Sequence, residues 1–163
     1  MIYLKKGAPS WYSYVFFIGS IIAALIQIYL MHAPVVETFL LWFLVIGVGL
    51  EGIWGFMGHF FNADKVAEFI GWPKGNPFQR EIAFANLSYG IAGVLCFWIT
   101  GTFWIAAGLV SVVFSYGAAY GHIIEIRKNK NYAPGNAGPV LYIAGILKPT
   151  IVLILLILYF TGC

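Results

Sequence analysis

The chain has 163 residues, of which 61% are hydrophobic, 18% aromatic and only 9% charged. Soluble domains carry about one quarter charged residues, so a long linker, a disordered tail and a nucleic-acid-binding domain are excluded, and two cysteines do not make a secreted disulfide scaffold. The net charge of +3 is small, and the cations lie beside apolar runs, which reads as membrane topology.

Five apolar segments follow one another, over residues 10–31, 36–61, 78–99, 102–126 and 140–161. Each reaches about 20 residues, enough to cross the hydrocarbon core of a bilayer as a helix. Lipid leaves no backbone group unpaired, so continuous runs of this length predict helices, whereas a transmembrane barrel would show short alternating segments. The first run is longer than a signal-peptide core and no small-x-small cleavage site follows it, so it reads as a retained span. His32-Ala33-Pro34 ends it, and proline suits the start of the next helix. Between segments 2 and 3, residues 63–70 predict a short amphipathic interfacial helix, with Val66, Phe69 and Ile70 toward the membrane and Lys65 and Glu68 outward. The turn Thr100-Gly101-Thr102 makes segments 3 and 4 an antiparallel hairpin, and the polar loop 129–138 precedes segment 5.

The expected fold is therefore all-α: a single membrane domain over 1–163, with five transmembrane helices and one interfacial helix. Five crossings put Lys5, Lys6, Lys65, Lys74, Arg80, Arg127, Lys128 and Lys130 on one side and no cation on the other. The positive-inside rule then predicts a cytoplasmic N-terminus and an outside C-terminus in a multi-pass cell-membrane protein. The ninth cation, Lys148, lies within segment 5.

A charge at mid-membrane costs about 3 kcal/mol or more, so each needs a reason. Glu51 and Lys148 have opposite sign and similar depth, which predicts that they pair. The pair either registers segment 2 against segment 5 or lines a polar pocket. Asn86, Tyr89, Tyr116 and Tyr120 lie at neighbouring depths and complete a candidate ligand site. Nearer the cytoplasm, His59, Arg80, Glu81, His122 and Glu125 form a candidate polar network. His122 and Glu125 share a helix face at i, i+3, but the paired Glu-x-x-His elements of metal-binding bundles are missing, so no metal is predicted. No P-loop, Gly-x-Ser-x-Gly elbow or Cys-x-x-Cys is present, which leaves catalytic residues unassigned.

Glycines recur at 49, 52, 55 and 58, at 90 and 93, and at 117 and 121. Small residues let membrane helices approach, so tight packing is the expected role, with a glycine-lined groove as the alternative. The tryptophans sit mostly near segment ends and read as an interfacial belt.

The stretch GIWGFMGHFFNADKVAEFIGWP (52–73) resembles DoxX-type small membrane proteins, in which a glycine-bearing helix leads through a short interfacial helix to a helix with an early carboxylate, here Glu81. The resemblance covers roughly 47–161 and makes segment 1 an addition to that family's four helices. It implies a quinone-linked role, since some members are tied to quinone-coupled sulfur oxidation. Residues 76–87 (NPFQREIAFANL) also resemble a family of bacterial and archaeal integral membrane proteins of unknown function.

The leading expectation is binding of a hydrophobic small molecule or lipid, quinone- or isoprenoid-like, within the bundle. One alternative is a structural or assembly subunit of a homo-oligomer or larger complex, with Gln27 placed to hydrogen-bond across an interface between copies. The other is a membrane oxidoreductase or isomerase using Glu51 or His59 to move a proton. The expected partners are the lipid bilayer and further membrane subunits, not nucleic acid.

Overall fold

A computed structural model describes residues 11–162, and Lys5, Lys6, Ser10 and Cys163 lie outside them. Helix α1 (Tyr12–Met31) ends at His32 in the left-handed conformation, with φ of 51°. Helix α2 spans Val35–Phe61. The short α3 (Ala63–Ile70) and α4 (Phe78–Leu95) follow, then α5 (Thr102–Asn129) and the single turn α6 (Pro134–Ala137). Helix α7 joins Val140–Leu147 to Lys148–Thr161 without a break.

Among the described residues four helices are long and apolar enough to cross a membrane: α1, α2, α5, and the stretch Pro134–Thr161 that contains α7. Helix α4 has 18 residues and is not among the four, because its first turn carries Gln79, Arg80 and Glu81 and Asn86 follows two turns in. At 1.5 Å per residue it is still about 27 Å long.

Two helices contain wide, π-helical turns that periodicity does not reveal. In α2 they occupy Phe43–Leu50, ending immediately before Glu51; in α7 they occupy Val140–Leu147, ending immediately before Lys148. The second has a local cause. Pro149 brings no N–H to the carbonyl four residues back and its ring crowds it, so the preceding turn widens, and the Lys148 N–H bonds to Ile143 O, five residues back. In α2 the wide turns contain Gly47 and Gly49, poor α-formers, and the Glu51 N–H bonds to Ile46 O rather than Gly47 O.

The dry core lies toward the α4–α5 turn. Leu40, Phe43, Leu44 and Val48 of α2 pack with Trp104 and Val112 of α5 and with Val152 and Leu156 of α7. Trp104 departs from the interfacial-belt expectation: it is buried, and its Nε1 donates to Cys96 O at 2.8 Å, capping the end of α4. Gln27 is likewise engaged within the chain, accepting from Trp42 Nε1 at 2.7 Å. Its amide oxygen thus holds α1 against α2.

Helices α2 and α4 cross on glycine. A Cβ on Gly93 would lie 2.6 Å from Gly49 N and Leu44 O, and one on Gly90 would lie 2.9 Å from Ile53 N. Only hydrogen at these positions lets the backbones approach so closely.

At the opposite end the segments after α2 and after α5 meet. Gly71 stops α3 with φ of 81°, and Trp72 N donates back to Ala67 O at 2.8 Å, a left-handed helix stop that suits glycine. Asn131 Nδ2 donates to Ile70 O at 3.0 Å, and Asn136 Nδ2 donates to Asn131 O at 2.9 Å and to His122 O at 3.2 Å. On the surface of this end Lys74 Nζ lies 2.9 Å from Glu68 Oε2, and that hydrogen bond raises the pKa of the lysine. Both partners are largely exposed, so the pair adds little to stability.

A Cβ on Gly71 would lie 2.6 Å from Asn131 Oδ1 and would also occupy a left-handed backbone. Gly71→Ala is therefore expected to cost about 1–2 kcal/mol and to speed amide exchange throughout α3. Unchanged exchange in α3 would contradict this anchoring.

Candidate functional site

Between the dry core and the loop end lies a cavity of about 520 Å³, within the usual range for small-molecule sites. Its deep end is polar. Lys148 Nζ lies 2.6 Å from Glu51 Oε2 and donates to Gly47 O at 2.8 Å, and both charged residues are buried. The wide turns set up this arrangement. Both end immediately before the charged residues, and in α2 the Glu51 N–H bonds to Ile46 O and Val48 O, which leaves Gly47 O, the carbonyl that Lys148 uses. Gly47 also leaves room: a Cβ there would stand 3.5 Å from Lys148 Cδ and 3.1 Å from Ser20 Oγ.

Asn86 and Tyr89 of α4 stand on the same wall. The Tyr89 hydroxyl donates to Asn86 Oδ1, and Asn86 Nδ2 donates to Ile82 O at 2.7 Å. The absence of a side chain at Gly55 admits this amide, since a Cβ there would meet Asn86 Oδ1 at 2.5 Å.

Two histidines lie farther toward the loop end. His59 Nδ1 meets Gln79 Oε1 at 2.5 Å, and His122 Nδ1 meets Asn136 Oδ1 at 2.7 Å. Both rings line the cavity. Trp72 stacks on His122, with centroids 5.6 Å apart and planes at 24°. His59 also borders a second, shallower and more polar cleft, shared with Asp64, Lys65, Gln79 and Arg80.

The structure thus brings together Glu51, Lys148, Asn86, Tyr89, His59 and His122 around one space. It leaves five expected residues out. Tyr116 is on the outer side of α5, its hydroxyl 2.9 Å from Thr150 Oγ1, and Tyr120 is 68% exposed. The α5 helix turns about 100° per residue, so the face that carries Tyr116 and Tyr120 is not the one that carries His122. Arg80 belongs to the shallower cleft. Glu81 is exposed, and Glu125 Oε1 accepts from Asn129 Nδ2 at 2.8 Å. The expected two-histidine, two-carboxylate network is therefore split between cavity and surface.

Helix α3 is also placed differently from expectation. Val66, Phe69 and Ile70 face the cavity and roof it rather than facing lipid. The loop 129–138 pins α3 inward through Asn131, and Gly135 lies so near Phe69 that a Cβ would reach its ring at 2.5 Å.

The glycines divide into two roles. Those at 49, 52, 90 and 93 serve close packing, as above. Gly117 and Gly121 line the cavity and face open space, with nothing within 4 Å of an added Cβ. Sequence reasoning missed Tyr12, Trp54 and Trp72 as wall residues. Tyr12 and Trp72 looked interfacial because they lie near segment ends, and those ends overhang the cavity, while nothing in the sequence marks Trp54 as a wall residue. Among the described residues no group of three His, Cys, Asp or Glu side chains is placed to hold a metal ion.

The described residues thus form an all-helical bundle with four helices long and apolar enough to cross a membrane and an internal cavity whose deep end carries an ion pair. The chain belongs to a family of unknown function, DUF6790, whose model matches residues 10–161. The likeness to DoxX-type proteins stands as a likeness alone. No curated protein and no solved structure matches the chain.

Proposed function

We propose that this is a multi-pass membrane protein whose bundle holds a hydrophobic small molecule, isoprenoid- or quinone-like, in the cavity between α2, α4, α5 and α7. The observation that carries the reading is the cavity itself. About 520 Å³ of space is walled by Trp54, Phe69, Trp72 and Phe114, with a small set of polar groups gathered on Glu51, Lys148, Asn86, Tyr89 and the two histidines. An apolar wall with a few fixed polar groups is the usual composition of a small-molecule site. Access fits a ligand dissolved in the bilayer, because the cavity reaches Gly117 and Ala118 on α5, which are exposed.

In this reading α4 is a fifth crossing. Its length of about 27 Å approaches the hydrocarbon thickness, and its charged first turn sits at the end where the 62–77 and 129–138 segments meet. The N-terminus is then cytoplasmic, as the distribution of lysine and arginine requires.

Native mass spectrometry of the gently solubilised protein tests the proposal. A discrete bound mass is expected in the wild type and is expected to be lost in Gly121→Leu, which puts a side chain into the cavity at a position where an added Cβ meets nothing within 4 Å. A wild type free of bound mass, also after incubation with farnesol or a short-chain quinone, would contradict it. A registering role for Glu51 and Lys148 is the second reading. It is favoured by the additional bond from Lys148 to Gly47 O, and it predicts that Glu51→Gln alters assembly while leaving any bound mass in place.

A further inference from the structure

The cavity's hydrogen-bonding groups include acceptors that no protein donor meets among the described residues. Asn136 fixes the sense at His122. Its Nδ2 gives its hydrogens to His122 O at 3.2 Å and Asn131 O at 2.9 Å, so Oδ1 is what faces His122 Nδ1 at 2.7 Å. An amide oxygen only accepts, so Nδ1 carries the proton. In the neutral ring Nε2 is then an open acceptor. His59 has the same sense, with Nδ1 against Gln79 Oε1.

Glu51 adds a third acceptor. Its Oε2 receives Lys148, and among the described residues no protein group donates to Oε1. The nearby donors are partly used: Lys148 spends two of its three hydrogens on Glu51 and Gly47 O, Asn86 one of its two on Ile82 O, and Tyr89 its one on Asn86. Among the described residues Ser13 Oγ is the one fully buried side-chain polar atom without a partner. The open acceptors on His59, His122 and Glu51 are therefore not sealed in protein and face accessible space. The hydroxyls of Tyr12 and Ser115 can turn either way. The indole N–H groups of Trp54 and Trp72 are donors, but on rings 42% and 37% exposed, at the edge of the cavity rather than its floor.

We propose that the site selects an apolar molecule that carries a hydroxyl, and that the hydroxyl donates to His122 Nε2. The class is an isoprenoid alcohol or a phenol of quinol type, rather than a molecule whose oxygens are all carbonyl or ether. This rests on the cavity being a ligand site. Buried polar groups discriminate because a ligand that cannot complete them leaves them unpaired. The Trp72 ring, stacked on His122, supplies the flat apolar surface beside that acceptor.

The test is binding of farnesol against farnesyl methyl ether to the wild-type protein in detergent. The two share a chain and differ in the hydrogen that can be donated. Farnesol is expected to bind about tenfold more tightly, and His122→Phe is expected to erase the preference by weakening the alcohol alone. Should that variant fail to fold, the nitrogen-15 resonance of His122 Nε2 in the wild type gives the same answer: farnesol moves it and the ether does not. Equal or tighter binding of the ether overturns the inference while leaving the cavity reading in place. A preference that survives in folded His122→Phe overturns the assignment to His122. Binding of neither probe overturns the cavity reading, and this inference with it.

Discussion

Lys148→Ala is expected to destabilise the bundle by about 3–5 kcal/mol, because it leaves the Glu51 carboxylate buried without its counter-charge. The lysine holds two acceptors at once, Glu51 Oε2 at 2.6 Å and Gly47 O at 2.8 Å. Removing it orphans a buried charge and a backbone carbonyl inside the bundle. The double variant Glu51→Gln with Lys148→Met removes both charges and keeps the volume. It is expected to recover most of the loss, since replacing a whole buried pair is far milder than breaking one. Thermal unfolding in detergent of the wild type, both single variants and the double variant measures the coupling. A Lys148→Ala protein within about 0.5 kcal/mol of wild type would show the pair to be unimportant to the fold; that threshold is the usual spread for neutral surface changes.

Gly93→Ala is expected to have a comparable effect through packing alone. The new methyl group would stand 2.6 Å from Gly49 N and Leu44 O, both backbone atoms that cannot swing aside, so α2 and α4 must separate. Overpacking of this kind costs about 1–3 kcal/mol, more where the backbone itself must shift. Gly117→Ala is the matched control. Nothing lies within 4 Å of its added Cβ, and replacing helical glycine by alanine is worth up to about 1 kcal/mol in the stabilising direction. Opposite signs of the change in midpoint for these two substitutions are the expected result; equal signs would mean that the crossing is looser than described.

That contrast shows what the sequence makes legible. All eight glycines of the repeating pattern look alike in one dimension. The packing role holds for Gly93 and Gly90, where two helices cross, and fails for Gly117 and Gly121, whose helix faces empty space. The pairing of Glu51 with Lys148 was readable, because burying a charge in lipid demands an opposite charge at the same depth. The wide turns leading to both residues were not, because they coincide with Pro149 in α7 and with Gly47 and Gly49 in α2 rather than with an apolar period. The placement of α3 failed for a related reason. Its amphipathic pattern says that one side is covered but not by what, and the polar loop 129–138, read as a connection, supplies the asparagines that pin it over the cavity. Tyr116 and Tyr120 matched the depth of the cavity but not its angular position, and depth is the coordinate that a hydropathy reading gives best.

The central claim is that the cavity is a site for an apolar ligand. Equilibrium binding of radiolabelled farnesol to the detergent-solubilised wild type and to Gly121→Leu tests it most directly. Saturable binding at one site per chain, weakened at least tenfold by Gly121→Leu at unchanged thermal stability, is the predicted result. Binding that is non-saturable, or that is the same in both proteins, would contradict it.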